Sequence, residues 1–200
     1  APVIESEGRS FPVEIRHDER PGGTPIEDAM AKAIREHPVT RVLFDPDLGG
    51  QPEQSLFWLD PAFEVLRRAR VDWLPPTRDD GRLIVPDYKS TTSAELRAIA
   101  KSLASFGYHM QDAWYRDLLV GLGIAEAPAF VFVFQEKTPP FLITVAEIDA
   151  PSLRVGRKKN AQALDVFAEC TATDEWPSYS TEVELISLPR WELIEHGEIA

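Results

Sequence analysis

The spacing of apolar residues changes from strand-like to helical near Ser93, and that change most constrains the fold. Before it, three short apolar segments bounded by turn residues are typical of β-strands, namely 53–59, 65–74 and 83–89. After it, two segments have helical spacing, 94–106 and 108–122. The order predicts an antiparallel meander of three strands followed by two helices.

Further elements follow from the same signals. A helix over 25–37 begins at Pro25 and ends before Pro38, and a short strand is predicted over 39–44. The second half of the chain adds two strands and a long helix, over 129–135, 141–148 and 151–170. No repeat is evident, so we expect one mixed α/β domain over 1–200, with an irregular segment 1–24, a core 25–172 and a C-terminal surface segment 173–200.

The charge balance limits the kinds of partner. The chain has 21 Lys and Arg residues against 33 Asp and Glu residues, a formal net charge of −12. Such a chain is not a protein that coats DNA, because those proteins neutralise phosphates with a broad excess of cations. Any nucleic acid must be bound through local basic patches or through bound metal.

Two further features indicate a cytoplasmic protein. The longest apolar run, 127–134, is far shorter than the roughly 20 residues of a membrane-spanning helix, and no basic, apolar leader opens the sequence. Cys170 is the only cysteine, which excludes an internal disulfide and a four-cysteine metal site. We therefore expect a reducing, cytoplasmic location and no transmembrane segment.

The residues best placed for chemistry lie on the predicted strands. Asp87 and Lys89 are two positions apart, so their side chains project from one face of a strand, about 7 Å apart. Asp72 joins them if the preceding strand lies alongside, and Glu53 on another strand offers a further carboxylate. Carboxylates are the ligands that Mg²⁺ prefers, and a nearby lysine stabilises charge on a phosphate, so the set suits phosphodiester hydrolysis. The alternative is that this triplet has no catalytic role, because most Asp-x-Lys triplets on strands are charged side chains exposed to solvent.

Other polar residues would support such a site. Gln111 and Tyr115 are four residues apart and share one face of a helix. The alternative is that they only pack in the helix, since the polar ends of such pairs are usually exposed to solvent. Arg68 and Arg70 alternate onto the face of Asp72, where they would clamp a phosphate. A second group of cations begins the last long helix and is either a solvated face or a phosphate contact: Arg154, Arg157, Lys158 and Lys159.

These residues together resemble the PD-(D/E)XK nuclease superfamily, and within it the phage-type branch of exonuclease VIII (RecE-like). The resemblance covers roughly 24–191. It depends on Asp72, on Asp87-Tyr88-Lys89 with the following Ser-Thr-Thr, on Gly107-Tyr108-His109, on Gln111-x-x-x-Tyr115, and on the terminal motifs Trp176-Pro177 and Leu188-Pro189-x-Trp191.

The resemblance implies a fold and a set of roles. The fold would be α/β, with a mixed central sheet flanked by helices and a restriction-endonuclease-like core. Asp72, Asp87 and Glu53 would bind catalytic Mg²⁺, for which Mn²⁺ would substitute, and Lys89 would position the attacking water or the scissile phosphate. The helical pair Gln111 and Tyr115 would support the site and contact DNA.

The implied activity is a Mg²⁺-dependent exonuclease on linear double-stranded DNA in phage-type recombination, with a homo-oligomer and a single-strand annealing protein as expected partners. Two alternatives stay open: an inactive nuclease-like module that binds DNA or docks a protein, and an endonuclease or repair nuclease. This sequence departs from the branch in two ways. Neither His17 nor His37 matches the helical histidine that the branch often has upstream, and Pro86 before Asp87 predicts a sheet edge or a bulge.

Overall fold

The computed structural model describes residues 25–77 and 82–199. The predicted irregular segment 1–24 lies outside them. In chain order the helices and strands are α1 (Ile26–Glu36), α2 (Thr40–Leu43), β1 (Gln51–Asp60), β2 (Val65–Leu74), β3 (Ile84–Thr91), α3 (Leu96–Ser105), α4 (Tyr108–Gly121), β4 (Ala129–Glu136), β5 (Ile143–Glu147), α5 (Ala150–Thr173) and α6 (Arg190–Glu195).

The strands form a hairpin and a three-stranded mixed sheet. β1 and β2 pair antiparallel, while β4 lies between β3, to which it is parallel, and β5, to which it is antiparallel. β2 lies beside β3 without a hydrogen-bonded ladder. The predicted mixed sheet flanked by helices is confirmed. The antiparallel pairing of the first two strands of the predicted meander is also confirmed, whereas the predicted place of the third strand is wrong, because β3 pairs with β4.

Pro86 explains why β2 and β3 do not form a ladder. Alternate residues of a strand direct their N–H groups to the same side. Pro86 therefore lacks a donor on the side where Tyr88 donates its N–H to the Asp72 carboxylate, at 2.7 Å. The facing edge of β2 is occupied by α4, since Trp114 Nε1 donates to the Arg68 carbonyl at 2.9 Å and the Tyr115 hydroxyl donates to the Arg70 carbonyl at 3.0 Å. β3 is thus an edge strand of its sheet, as Pro86 predicted.

Helices cover both faces of the sheet. On one face of β4, Phe130, Phe132 and Phe134 are buried in the main core cluster, which Tyr108 and Tyr115 of α4 also contact. On the other face, Gln135 is buried and its Nε2 donates to the Met30 carbonyl of α1 at 3.0 Å. A strand buried on both faces has a nearly continuous apolar sequence, as β4 does.

The segment 39–44, predicted as a strand, instead contains the single helical turn α2. The imidazole Nδ1 of His37 accepts the N–H groups of Val39 and Thr40, at 3.3 and 3.4 Å, and so satisfies donors that the first helical turn leaves free. The buried Thr40 hydroxyl donates to the Ile34 carbonyl at 2.6 Å and ties the turn to α1. These local bonds override the strand preference of the two valines at 39 and 42.

Substitution of Thr40 by valine tests this account of α2. Valine has the shape of threonine but no hydroxyl, so the variant leaves the Ile34 carbonyl without its donor. We expect the free energy of unfolding to fall by about 1 kcal/mol. Urea unfolding of both proteins measures the difference, and the exposed Val42→Thr serves as the control. An unchanged midpoint for Thr40→Val would contradict the account.

The other predicted elements match the structure to within a few residues, with β2 at its predicted bounds. Beyond α5, residues 174–189 have no helix or strand and most of their side chains are exposed. Among residues 25–77 and 82–199, none of the helices has both the length and the apolar character that crossing a membrane requires.

Candidate active site

Asp87 and Lys89 lie on the face of β3 that α4 covers. Val85, two residues earlier on this face, is fully buried in the core, and Asp87 is only 2% exposed. The Lys89 ammonium forms a direct ion pair with the Asp87 carboxylate and its side chain is 19% exposed. The apolar start of β3 thus places a charged pair at the boundary between core and solvent, as strand alternation predicts.

Asp72 comes to this pair from β2. Its Oδ2 accepts the N–H of Tyr88, the residue between Asp87 and Lys89, at 2.7 Å. This bond holds the Asp72 carboxylate where its negative charge raises the pKa of Asp87. The structure therefore brings two carboxylates and one ammonium together, as the sequence predicted.

Asp87 has a pKa raised from 3.8 to about 6. Burial is the largest cause, because a charged carboxylate loses hydration inside the protein. The charge and the hydrogen bond of Lys89 lower the pKa, and the neighbouring Asp72 charge raises it. The carboxylate is therefore mainly ionised at neutral pH, even though it is buried.

The first turns of α4 complete the site. Gly107 has a left-handed backbone with φ of 68°, which glycine adopts without strain, and it turns the chain from α3 into α4. Gln111 then donates from Nε2 to Asp87 Oδ1 at 2.7 Å. Tyr115, one turn later, donates a hydrogen bond from its hydroxyl to the Arg70 carbonyl, and this bond holds β2 against α4. Both residues face the site from one side of the helix, as their spacing predicted.

Tyr108 is a site residue to which the sequence analysis assigned no role. Its ring centroid lies 5.2 Å from Lys89 Nζ, and the ring of Phe132 lies 5.7 Å from the same atom. An ammonium over an aromatic face is attracted by the ring quadrupole. The motif that includes Gly107 and Tyr108 marked this position, but no spacing rule predicts a contact with a lysine on a strand.

Glu53 and the two arginines of β2 are placed differently. Glu53 falls opposite Asp72 in the register of β1 and β2, but its φ of 56° interrupts the ladder there. Its carboxylate forms an ion pair with Arg70 Nε at 2.6 Å, and both side chains are largely exposed. The Arg68 guanidinium lies over the Phe57 ring, 5.8 Å from its centroid. Within the described part of the chain, these three side chains form no hydrogen bond or ion pair with Asp87 or Lys89, and their predicted roles stay predictions.

The donor set fits a hard divalent cation. Within the described parts of the chain, no group of three or more His, Cys, Asp or Glu side chains is arranged to hold a metal ion. Zinc needs three or four protein ligands, whereas Mg²⁺ keeps several waters and is commonly held by one or two carboxylates. Asp72 and Asp87 together match the second case.

Comparison with known proteins identifies the type of domain. A family model described as "PDDEXK-like domain of unknown function (DUF3799)" matches residues 24–189. The fold is similar to a crystal structure described as a "putative exonuclease" from Eubacterium rectale, with a TM-score of 0.58 and 13% identity. That alignment covers 86% of this chain and 65% of the other, so this chain spans about two thirds of that protein.

A second crystal structure, that of SSO0001, aligns with a TM-score of 0.39 and 20% identity over 68% of this chain and 56% of the other. No curated protein matches the chain significantly. At these identities the structural likeness shows the fold alone.

Proposed function

We propose that this chain, which belongs to the family of PDDEXK-like domains of unknown function, is a Mg²⁺-dependent nuclease that hydrolyses phosphodiester bonds of DNA. The observation that carries the proposal is the meeting of Asp72, Asp87 and Lys89 between β2 and β3. An acidic pair beside an ammonium suits hydrolysis of a phosphodiester, because the carboxylates can hold a divalent cation, and that cation and the ammonium would together stabilise the negative charge that develops on the phosphate and the leaving oxygen.

Each residue has a separate task in this proposal. Asp72 and Asp87 would hold the Mg²⁺ ion, which when bound activates water and neutralises phosphate charge. Gln111 orients the Asp87 carboxylate through its hydrogen bond at 2.7 Å. Lys89 keeps Asp87 ionised and, being partly exposed, can also reach a phosphate oxygen of the substrate. Its proposed role is electrostatic, that of an ammonium beside the Asp87 carboxylate.

The finer assignment is to an exonuclease that degrades linear double-stranded DNA. It is supported by the resemblance to the RecE-like branch, and by the fold likeness to a protein described as a "putative exonuclease". From the same resemblance we propose that the protein acts in phage-type recombination in the cytoplasm. We also propose that it forms a homo-oligomer and has a single-strand annealing protein as its partner.

One observation favours a second candidate, an inactive module that binds DNA or docks a protein. The resemblance implies Glu53 as a third metal ligand, yet this carboxylate is paired with Arg70. In the described residues, the acidic set is therefore limited to Asp72 and Asp87.

A degradation assay separates these functions. End-labelled linear duplex and covalently closed circular DNA are incubated with the protein and Mg²⁺, with Mn²⁺, or with EDTA. We expect linear DNA to be degraded from its ends in either metal, circular DNA to stay intact, and EDTA to stop the reaction. Cutting of the circle would identify an endonuclease, and binding without cutting in any metal would identify the inactive module.

Substitution of Tyr108 tests the aromatic contact to Lys89. Tyr108→Leu removes the ring beneath the ammonium, which we expect to lower cleavage roughly two- to fivefold, because cation–π contacts at partly exposed sites contribute about 0.5–1 kcal/mol. Tyr108→Phe retains the ring and should retain the rate. Initial rates on linear duplex DNA measure both variants. Equal losses in the two would show that the hydroxyl matters rather than the ring face.

A further inference from the structure

The first half of α5 carries a positive surface that the proposed site does not use. Between Ala150 and Leu164 the chain has no Asp or Glu, although its net charge is −12. In the same stretch it has four cations, Arg154, Arg157, Lys158 and Lys159. Such a local excess produces a positive potential on a protein that otherwise repels polyanions.

Three of these four cations are available to a partner. Arg157 Nε donates to the Asp117 carboxylate of α4 at 3.0 Å, so its charge is already paired. The exposed Arg154, Lys158 and Lys159 form no ion pair with any acid of the described residues. We name these three residues the α5 cation patch. Arg154 and Lys158 are four residues apart and lie next to each other along the outer face of the helix.

The contacts of α5 fix the position of this patch relative to the site. A Cβ on Gly156 would lie 2.0 Å from the His109 carbonyl oxygen, so the two backbones touch there. Asn160 Nδ2 donates to the Met110 carbonyl at 2.9 Å. His109 and Met110 lie between Tyr108 and Gln111, which contact Lys89 and Asp87. The face of α5 that carries Gly156 and Asn160 therefore packs on α4, and the patch lies on the solvent side of α5, separated from the site by both helices.

We propose that the α5 cation patch binds the phosphate backbone of duplex DNA roughly six base pairs from the scissile bond. The proposal rests on the proposed nuclease function and extends it to a second contact with the substrate. Two packed helices of about 10 Å each separate the patch from the site, which corresponds to roughly six base pairs of duplex. An acidic protein needs such a contact, because its overall charge opposes the approach of DNA.

The test compares two triple variants with the same change of net charge. One removes the patch, Arg154→Ala/Lys158→Ala/Lys159→Ala. The matched control, Lys32→Ala/Arg35→Ala/Arg41→Ala, removes exposed cations of α1 and α2 on the opposite face of the sheet. Fluorescence anisotropy in EDTA measures the affinity for a linear duplex of about 20 base pairs across a range of salt concentrations. Thermal unfolding checks that both variants fold as the wild type does.

We expect the patch variant to bind at least about tenfold more weakly than the wild type, and the slope of log K against log salt to fall by about 2–3, or 0.9 for each lost phosphate contact. The control should keep both values. An unchanged slope in the patch variant, or an equal loss in the control, would overturn the proposal. So would loss of binding to phosphatidylserine vesicles with duplex affinity unchanged, since the patch would then bind an anionic lipid surface.

Cleavage by the wild type in Mg²⁺ is measured in parallel, which keeps the two proposals distinguishable. If the wild type cleaves DNA but the patch variant keeps its DNA affinity, the proposal for the patch is contradicted and the nuclease function is not. If the wild type neither binds nor cuts duplex DNA, both the nuclease function and the proposed contact of α5 with DNA are contradicted.

Discussion

Replacement of Lys89 by methionine is expected to lower the rate constant of DNA cleavage about 10²–10³-fold at neutral pH, the effect typical of removing one electrostatic contact to a transition state. Methionine keeps most of the apolar stem that packs near Tyr108 and Phe132 but removes the ammonium. The variant also leaves the buried Asp87 carboxylate without its cation. Because Lys89 lowers the pKa of Asp87, that pKa should rise above its present value of about 6.

Two comparisons make this result informative. Lys137→Met makes the same change at an exposed position just beyond β4 and should leave the rate unaltered. Cleavage by Lys89→Met is then measured at higher pH and higher Mg²⁺ concentration. Full recovery would mean that Lys89 serves only to keep Asp87 ionised, while a persistent deficit means that it acts on the phosphate. A variant as fast as the wild type at neutral pH would contradict any role for Lys89 in catalysis.

The charged pair on β3 could be predicted from the sequence because its geometry is local. Strand alternation alone puts Asp87 and Lys89 on one face, and the apolar residues that begin the strand bury that face. The same holds for Gln111 and Tyr115, whose spacing places them on one side of α4. Such features depend on backbone geometry within a few residues, which the sequence pattern determines.

The pairing of β3 could not be predicted in this way. Neighbouring strands in the sequence usually pair, and that tendency favoured a meander. The parallel ladder of β3 with β4 instead requires α3 and α4 as the crossover, a contact between distant parts of the chain. Pro86 was the available signal, because it removes the donor on the side of β2, but it does not name the strand that pairs on the other side.

Conformations that depend on one neighbouring side chain were also missed. The helical turn at Thr40 depends on the ring of His37, which accepts two N–H groups, and burial lowers the pKa of this ring. The resemblance implied Glu53 as a metal ligand, a role that stays a prediction, but its left-handed backbone and its ion pair with Arg70 were not expected. Neither arrangement follows from spacing.

Asp87→Asn is expected to stabilise the metal-free protein by about 3 kcal/mol at pH 7. In the folded protein the pKa of Asp87 is about 6 rather than 3.8, so ionising this buried side chain opposes folding. The folded state binds more protons than the unfolded state between these pH values, so the stability of the wild type falls as pH rises through them. Asparagine has nearly the shape of the neutral acid and no charge to bury.

The pH dependence distinguishes this mechanism from a simple gain in packing. Urea unfolding in EDTA should show the full difference between Asp87→Asn and wild type at pH 7 and almost none below about pH 3, where the wild-type carboxyl is protonated in both states. The exposed Asp165→Asn should change stability by less than about 0.5 kcal/mol at either pH. Added Mg²⁺ should then stabilise the wild type more than Asp87→Asn, because binding to the folded state requires the carboxylate. A variant less stable than the wild type at pH 7 would mean that the ion pair with Lys89 outweighs the burial of Asp87.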